Sequence, residues 1–217
     1  ATLRLLVEDK IRNAIATGHF KPGQRLIERE LCEQMGVGRT SVREALRQLE
    51  AEGLVVTIPH RGPEVSSINA DEARQLYEVR ALLEGFAGRA FAERGSDADI
   101  ARLKEAVAGF RKAAEGDDRA TLVEAKTRFY SVLMEGADNM FIRQSLTALH
   151  NRITLLRVTS MTQQGRLADS VAEIETIYEA IAAHDGARAE AACKHHIAKA
   201  AEVALAVLAK DEAGNPT

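Results

Sequence analysis

The chain has 217 residues, of which 46% are hydrophobic, 28% charged and 4% aromatic, and its formal net charge at pH 7 is −3. This composition is typical of an ordinary globular protein of one or two domains, and it excludes a disordered or fibrous chain. A net negative charge also excludes a protein that binds nucleic acid through overall basicity alone.

The cysteines and the apolar runs of the sequence exclude a disulfide-rich or zinc-ribbon protein and a membrane-spanning or secreted one. Cys32 and Cys193 are too few for a disulfide framework and too far apart for a zinc ribbon. No apolar run approaches the ~20 residues that cross a bilayer, and the N-terminal segment lacks the pattern of a secretory signal. We therefore expect a cytoplasmic protein with no membrane partner.

The first third of the chain is predicted to contain three helices. Apolar residues that recur at helical spacing predict helices over Leu3–Thr17, Glu28–Met35 and Arg39–Glu52. Gly36-Val37-Gly38 predicts a tight turn between the second and third helices. Two short helices joined by such a turn form a helix-turn-helix, whose second helix enters the major groove of DNA.

A β-hairpin is predicted to follow the third helix. The β-branched run Leu54–Ile58 and the segment Glu64–Ser66 are predicted strands, joined by a turn over residues 59–63. Helix-turn-helix and hairpin together make a winged helix-turn-helix, and we expect residues 1–67 to form this DNA-binding domain.

The rest of the chain, residues 68–217, is predicted to be an all-α antiparallel bundle of about six helices, because it contains no proline between Asn69 and Lys210. Glycines predict its helix breaks at Gly95, Gly116, Gly136, Gly165 and Gly186. The predicted N-terminal caps are Asn69, Ser96, Asp117 or Asp118, Asp138 and Asp185. The fold class is therefore mainly α.

Arginines of the third helix favour DNA binding. Residues 1–66 carry ten Lys and Arg against nine Asp and Glu, so the placement of the cations matters more than their number. Arg39, Arg43 and Arg47 recur every fourth residue and form one stripe opposite the apolar face. An arginine fork suits guanine O6 and N7. The alternative is that the stripe is only solvated charge.

Residues 15–65 resemble the DNA-binding domain of the GntR transcription regulators, through Ile-Ala-Thr-Gly-His-Phe-Lys-Pro-Gly-Gln-Arg-Leu and Gly-Val-Gly-Arg-Thr-Ser-Val-Arg-Glu-Ala-Leu-Arg-Gln-Leu-Glu-Ala-Glu-Gly-Leu-Val. The helical remainder is similar to the FCD effector domain of the FadR-like branch. By this resemblance, Arg29, Arg39, Thr40, Arg43 and Gly62 contact the operator. We add as predicted contacts Ser41, Arg47, His60 and Arg61. Gly38 replaces the serine that usually caps the third helix in the family.

The same resemblance implies a metal site that this sequence does not keep. Many FCD domains hold a divalent metal through one Asp and three His. Here Lys126 stands at the Asp position, Tyr130 and Ile174 stand at the first two His positions, and only His196 remains. One His cannot hold Zn²⁺, which needs three or four protein ligands. We predict no metal and no cofactor.

The substitutions instead suggest an anionic effector inside the bundle. Lys126 would pair with a carboxylate, Tyr130 and His196 would hydrogen-bond to it, and Arg152 or Arg157 would add a second charge; Ile174 would line the pocket. The alternative is that Lys126 reaches solvent and Tyr130 only packs. Arg80 and Glu84, four residues apart, are expected to be a structural helix pair. Glu44, Glu50 and Glu52 are expected to form a solvated face, and Cys193 to fill the core.

These features predict a ligand-responsive transcriptional repressor that binds double-stranded DNA at a palindromic operator as a homodimer. Two alternatives stay open. One is a constitutive DNA-binding dimer, whose bundle would be closed by apolar packing around Ile174. The other is an enzyme that uses Lys126, Tyr130 and His196 as acid/base groups.

Overall fold

The computed structural model describes residues 3–161, 163 and 165–214, except for the side chains of residues 157–161 and 211–214. The chain divides into two compact units. The first lies within Ala1–Ile68 and His150–Val158, and the second within Asn69–Leu149 and Thr159–Thr217. Within the described residues, no helix is long and apolar enough to cross a membrane.

Three helices and one antiparallel hairpin build the first unit, as the sequence predicts. The elements are α1 (Leu3–Ala16), α2 (Glu28–Met35), α3 (Arg39–Ala51), β1 (Val55–Ile58) and β2 (Gly62–Val65). α2 ends at Gly36, whose left-handed φ of 67° reverses the chain and suits glycine. α3 then begins after Gly38, which is extended and offers no side-chain cap.

The core of the first unit is made by the apolar faces of these helices and the inner side of the hairpin. Its side chains share an exposed fraction of at most 2%, and they include Val7, Ile11, Leu31, Val42, Leu49, Leu54 and Val65. Burying this face fixes α3 with its opposite, arginine-bearing face outward.

The second strand begins two residues earlier than predicted. Ile58 pairs with Gly62 and Thr57 with Pro63, so Gly62 and Pro63 belong to β2 and not to the turn. Pro63 is tolerated in the strand because it lacks only the N–H, and its carbonyl accepts a hydrogen bond from Leu26 N–H at 2.8 Å. β1 on one side of β2 and Leu26 on the other therefore hold the hairpin in place.

The prediction of a solvated glutamate face on α3 is wrong for Glu52, whose side chain is 17% exposed, whereas Glu44 and Glu50 are exposed as predicted. Glu52 accepts hydrogen bonds at 2.9 and 3.0 Å from Nη2 of Arg12, which ties α3 to α1. Glu50 accepts a hydrogen bond at 3.0 Å from the backbone N–H of Thr57, which ties α3 to β1. Only Glu44 is left as an exposed side chain with no such bond described.

Six helices follow residue 68, in agreement with the predicted helical bundle, and they build the described part of the second unit except for residues 150–158, which are grouped with the first unit. They are α4 (Ala70–Arg94), α5 (Asp97–Ala114), α6 (Arg119–Gly136), α7 (Met140–Met161), α8 (Arg166–Ala182) and α9 (Gly186–Gly214). α4 packs mainly on α9, and α5 packs on α6 and α8. Fully buried Phe91, Phe110 and Phe129 lie in the resulting core.

Most predicted caps are confirmed, and one is wrong. Asn69 and Ser96 form capping boxes with Glu72 and Asp99. The other confirmed caps are Asp118, which accepts from two backbone N–H groups, and Asp185, which accepts from Arg188 N–H. The residue that caps α7 is Asn139 and not Asp138. Asn139 Oδ1 accepts from two backbone N–H groups at 3.1 Å, whereas Asp138 is left-handed, with a φ of 46°.

Candidate nucleic-acid interface and buried polar cluster

The outer face of α3 presents the predicted arginine stripe. Arg39, Arg43 and Arg47 are all exposed, while Val42, Ala45, Leu46 and Leu49 are buried on the opposite face. Arg39 is the first residue of the helix, where backbone N–H groups point outward and favour an anion. Beside it Thr40 is exposed and Ser41 is half-buried.

Ion pairs orient three of the predicted DNA-contacting arginines. Arg43 pairs with Glu28 at 2.9 Å, Arg61 pairs with Glu64 at 3.1 Å, and Arg29 lies 3.9 Å from Glu33. For Arg39 and Arg47, no ion pair is described within the ranges given above. These two guanidinium groups are therefore ready to meet a polyanion without breaking a described contact.

The hairpin tip adds exposed polar residues to the same unit. His60, in the turn, has a φ of 64°, and Gly62, the first residue of β2, has a φ of 87°. These left-handed conformations reverse the chain tightly. His60 and Arg61 are exposed and Gly62 is half-buried. A cleft of about 330 Å³ separates α3 from the hairpin, and it is lined by Glu28, Arg43, Leu46, Arg47, Glu50, Thr57 and Pro63.

Three of the predicted effector residues come together in the core of the second unit. Tyr130 Oη lies 3.0 Å from Nε2 of His196. The contacts of Lys126 include a hydrogen bond from Nζ to Ser170 Oγ and the ring faces of Phe110 and Tyr130, whose centroids lie 4.8 and 5.9 Å away. Lys126 is 5% exposed, so it does not extend into solvent.

His196 links this group to an acidic side chain on α8. Its Nδ1 lies 2.5 Å from Glu173 Oε2, and Glu173 also receives a two-pronged salt bridge from Arg166 at 2.7 and 2.8 Å. Tyr130, His196, Glu173 and Arg166 thus form one continuous hydrogen-bonded chain. Such a chain holds each side chain in one orientation.

The pKa values of the hydrogen-bonded side chains determine which of them carry a proton at neutral pH. Burial raises the pKa of Glu173, but hydrogen bonds from His196 and Arg166 outweigh burial and lower that pKa to about 2. Burial and the nearby Lys126 charge lower the pKa of His196 to about 4, against the opposing effect of Glu173. At neutral pH, neutral His196 therefore donates its Nδ1–H to Glu173 and accepts the Tyr130 hydroxyl at Nε2.

The sequence predictions missed Arg166, Ser170 and Glu173. These residues recur at the fourth and seventh positions along α8, so they share one helix face with the buried Ile174 beside it. That spacing of polar residues on a buried face was the signal in the sequence. This signal was missed because Arg, Ser and Glu are also the residues that an exposed helix face ordinarily carries.

Of the two arginines proposed as a second cation, Arg152 is not part of the cluster. Arg152 is exposed and is grouped with the first unit, where its side chain lies against Gly53. The side chain of Arg157 lies outside the described residues. Ile174 is fully buried in the apolar core together with Phe129 and Tyr130.

Two further buried groups behave as structural residues. Arg80 and Glu84 are each 2% exposed and form an ion pair at 2.6 Å. Burial lowers the pKa of Arg80, but Glu84, Tyr130 and Tyr77 together outweigh burial and raise that pKa above its usual range. Burial raises the pKa of Cys193, a 1% exposed core residue. Among the described residues, no group of three or more His, Cys, Asp or Glu side chains is placed to hold a metal ion.

Comparison with known families assigns both parts of the chain. Residues 3–65 match the family described as bacterial regulatory proteins, gntR family, and residues 75–199 match the FCD domain family. A probable D-xylose utilization operon transcriptional repressor from Paenarthrobacter nicotinovorans is 30% identical, over 91% of this chain and 86% of its own length.

Solved structures share the fold. A GntR transcriptional regulator from Rhodococcus sp. RHA1 aligns with a TM-score of 0.81 at 25% identity, over 95% of this chain and 99% of its own. E. coli McbR/YncC aligns with a TM-score of 0.80 at 22% identity, over 97% and 99% of the two chains. At 22% identity, the likeness to E. coli McbR/YncC shows a shared fold alone.

Proposed function

The chain belongs to the GntR family of bacterial transcriptional regulators and carries an FCD domain, and we propose from this premise that it is a ligand-responsive repressor of the FadR-like branch. Its relatives are regulators and not enzymes, so the enzyme alternative is discarded. Residues 1–67 would bind a palindromic operator and residues 68–217 would bind the effector and dimerise. We place the protein in the cytoplasm.

The exposed stripe of Arg39, Arg43 and Arg47 on α3 carries the proposal of operator binding. The stripe begins at an uncapped helix N-terminus, so side-chain forks and free backbone N–H groups meet at one end of the helix. Selection of duplexes from a random library by the purified protein tests this. We expect an enriched inverted repeat, and a pool without sequence preference would contradict the proposal.

The cluster around Lys126 supports a small organic anion as the effector. A buried ammonium group and two hydroxyl groups lie within one core and can donate to a carboxylate, and the neutral imidazole of His196 orients the Tyr130 hydroxyl. Burial strengthens such contacts because the local dielectric is low. A carboxylate that enters would take over part of the hydrogen bonding of Lys126, Ser170 and Tyr130, and this exchange would couple the ligand to α6, α8 and α9.

Replacing Lys126 with Met should weaken effector binding without removing the fold. A carboxylate at ~100 times its dissociation constant stabilises the wild type by ~2.7 kcal/mol, and a tenfold loss of affinity reduces this to about 1.4 kcal/mol. Thermal-shift measurement against a panel of small carboxylates checks the prediction. The matched control is Lys104→Met, an exposed lysine on α5. Equal ligand shifts in the two variants would contradict the role of Lys126.

One observation favours the constitutive alternative. Ile174 is fully buried among apolar side chains, which is the packing that a bundle without an effector would show. The same carboxylate panel separates the two proposals, because a constitutive dimer would show no ligand-dependent stabilisation and no change of operator affinity.

An exposed apolar stripe on α4 supports the homodimer. Val79, Leu82 and Phe86 recur at helical spacing and are 45%, 65% and 45% exposed. α4 is acidic in its first turn and basic in its last turn, so an antiparallel pairing of two α4 helices would set opposite charges together. A second copy of this chain is therefore the proposed occupant of the stripe.

Replacing Leu82 with Glu should separate the dimer. In the proposed dimer, Leu82 of each copy would be buried against the other, and the replacement would bring two carboxylates face to face. We expect this to raise the dimer dissociation constant about 10- to 100-fold. Analytical ultracentrifugation across protein concentrations measures this. Ala101→Glu, on the exposed face of α5, is the control. A Leu82→Glu variant that sediments as wild type at every concentration would place the dimer interface elsewhere.

A further inference from the structure

A carboxylate holds one arginine of the recognition helix at its Nε atom. Both oxygens of Glu28 accept hydrogen bonds from Arg43 Nε, at 3.1 and 2.9 Å. Glu28 is the first residue of α2, and Arg43 lies on the outer face of α3. The two side chains are 32% and 57% exposed, so the pair is accessible from the side that carries the arginine stripe.

The geometry leaves the end of the guanidinium group available. Within the described ranges of the chain, no acceptor is bonded to Nη1 or Nη2 of Arg43. These two nitrogens carry the four N–H groups that form the fork for guanine O6 and N7. A long side chain that is already held in one orientation loses less conformational freedom when it binds.

On the basis of the proposed function, we infer that Glu28 is a positioning residue for operator specificity. It holds Arg43 through Nε so that the terminal fork points outward to read a base edge. Its negative charge repels the phosphate backbone, so it weakens binding to DNA in general. Glu28 thereby lowers the non-specific affinity for DNA and raises the discrimination between DNA sequences.

This role predicts opposite effects on two kinds of DNA. A carboxylate that acted only through its charge would weaken binding to every duplex, and its removal would strengthen binding to every duplex. A positioning carboxylate instead supports operator binding, so Glu28→Gln should weaken binding to the operator while binding to unrelated DNA stays equal or becomes tighter.

The test uses the full-length protein and two duplexes of equal length, one selected by the wild type and one unrelated. We expect Glu28→Gln to lower affinity for the selected duplex about tenfold. The control is Glu30→Gln, which removes the same charge from the same first turn of α2 without touching Arg43. It should leave selectivity unchanged. In an Arg43→Ala background, Glu28→Gln should no longer weaken operator binding.

Operator binding by Glu28→Gln that equals or exceeds wild type would overturn the inference, as would an equal loss on both duplexes, which would show a general structural role. Retained binding to the unrelated duplex shows that the variant is folded. If the wild type itself selects no sequence, the proposed function fails, and this outcome is distinct from failure of the Glu28 role.

Discussion

Replacing Arg39 with Ala should abolish high-affinity operator binding. Arg39 is exposed at the first position of α3, where a recognition helix meets base edges. One good bidentate contact to a base contributes about 1 to 3 kcal/mol. A symmetric operator uses the residue twice, so the expected loss is about 2 to 6 kcal/mol for the dimer. Fluorescence anisotropy with the selected duplex measures it at fixed salt.

A second arginine serves as the control for charge. Arg188→Ala removes an exposed guanidinium group that pairs with Glu179 on the second unit. This variant should bind the operator like the wild type. Unchanged operator affinity of Arg39→Ala would exclude Arg39 from the interface and with it the proposed orientation of α3.

Replacing Glu84 with Ala should strongly destabilise the second unit. Arg80 and Glu84 are each 2% exposed, and Arg80 also lies 5.4 Å from the Tyr77 ring centroid and 5.5 Å from that of Tyr130. Removing one partner of a buried pair leaves an uncompensated charge and costs about 3 to 5 kcal/mol. Urea denaturation at constant protein concentration measures the free energy of unfolding.

Two further variants separate burial of charge from loss of a helix pair. Glu78→Ala removes one of the two acidic partners of Arg74 on the same helix, the other being Asp71, and these pairs are exposed, so we expect little change in stability. Arg80→Met combined with Glu84→Leu removes both charges and should recover most of the lost stability. Equal midpoints for Glu84→Ala and Glu78→Ala would contradict the structural role of the buried pair.

The fold follows closely from the sequence because its signals are local. Helical spacing and glycine turns locate the helices, and capping residues such as Ser96 and Asp118 locate several of their starts. The start of β2 was less predictable, since Gly62 and Pro63 read as turn residues and only pairing with β1 places them in a strand. The Asn139 cap was missed because Asp138 beside it is an equally good cap by composition.

The candidate sites were only partly predictable, for a physical reason. The arginine stripe belongs to one helix, so its spacing reveals it. Bringing His196 of α9 together with Lys126 and Tyr130 of α6 required the family resemblance, since the two helices are far apart in the sequence. The salt bridge of Arg43 with Glu28 joins two helices, and that of Glu173 with Arg166 sits on a buried face. Sequence spacing gives no distance between side chains on different helices, so Glu28 as the partner of Arg43 and Glu173 as the partner of His196 come from the structure.

Sequence discrimination by the purified wild-type protein tests the central claim most directly. Its affinity is measured at one salt concentration for the selected inverted repeat and for an unrelated duplex of the same length. The proposed role of α3 predicts that the repeat binds at least about 10³ times more tightly, as specific regulators do. Equal affinity for both duplexes would contradict it, because the arginine stripe would then bind only phosphate charge.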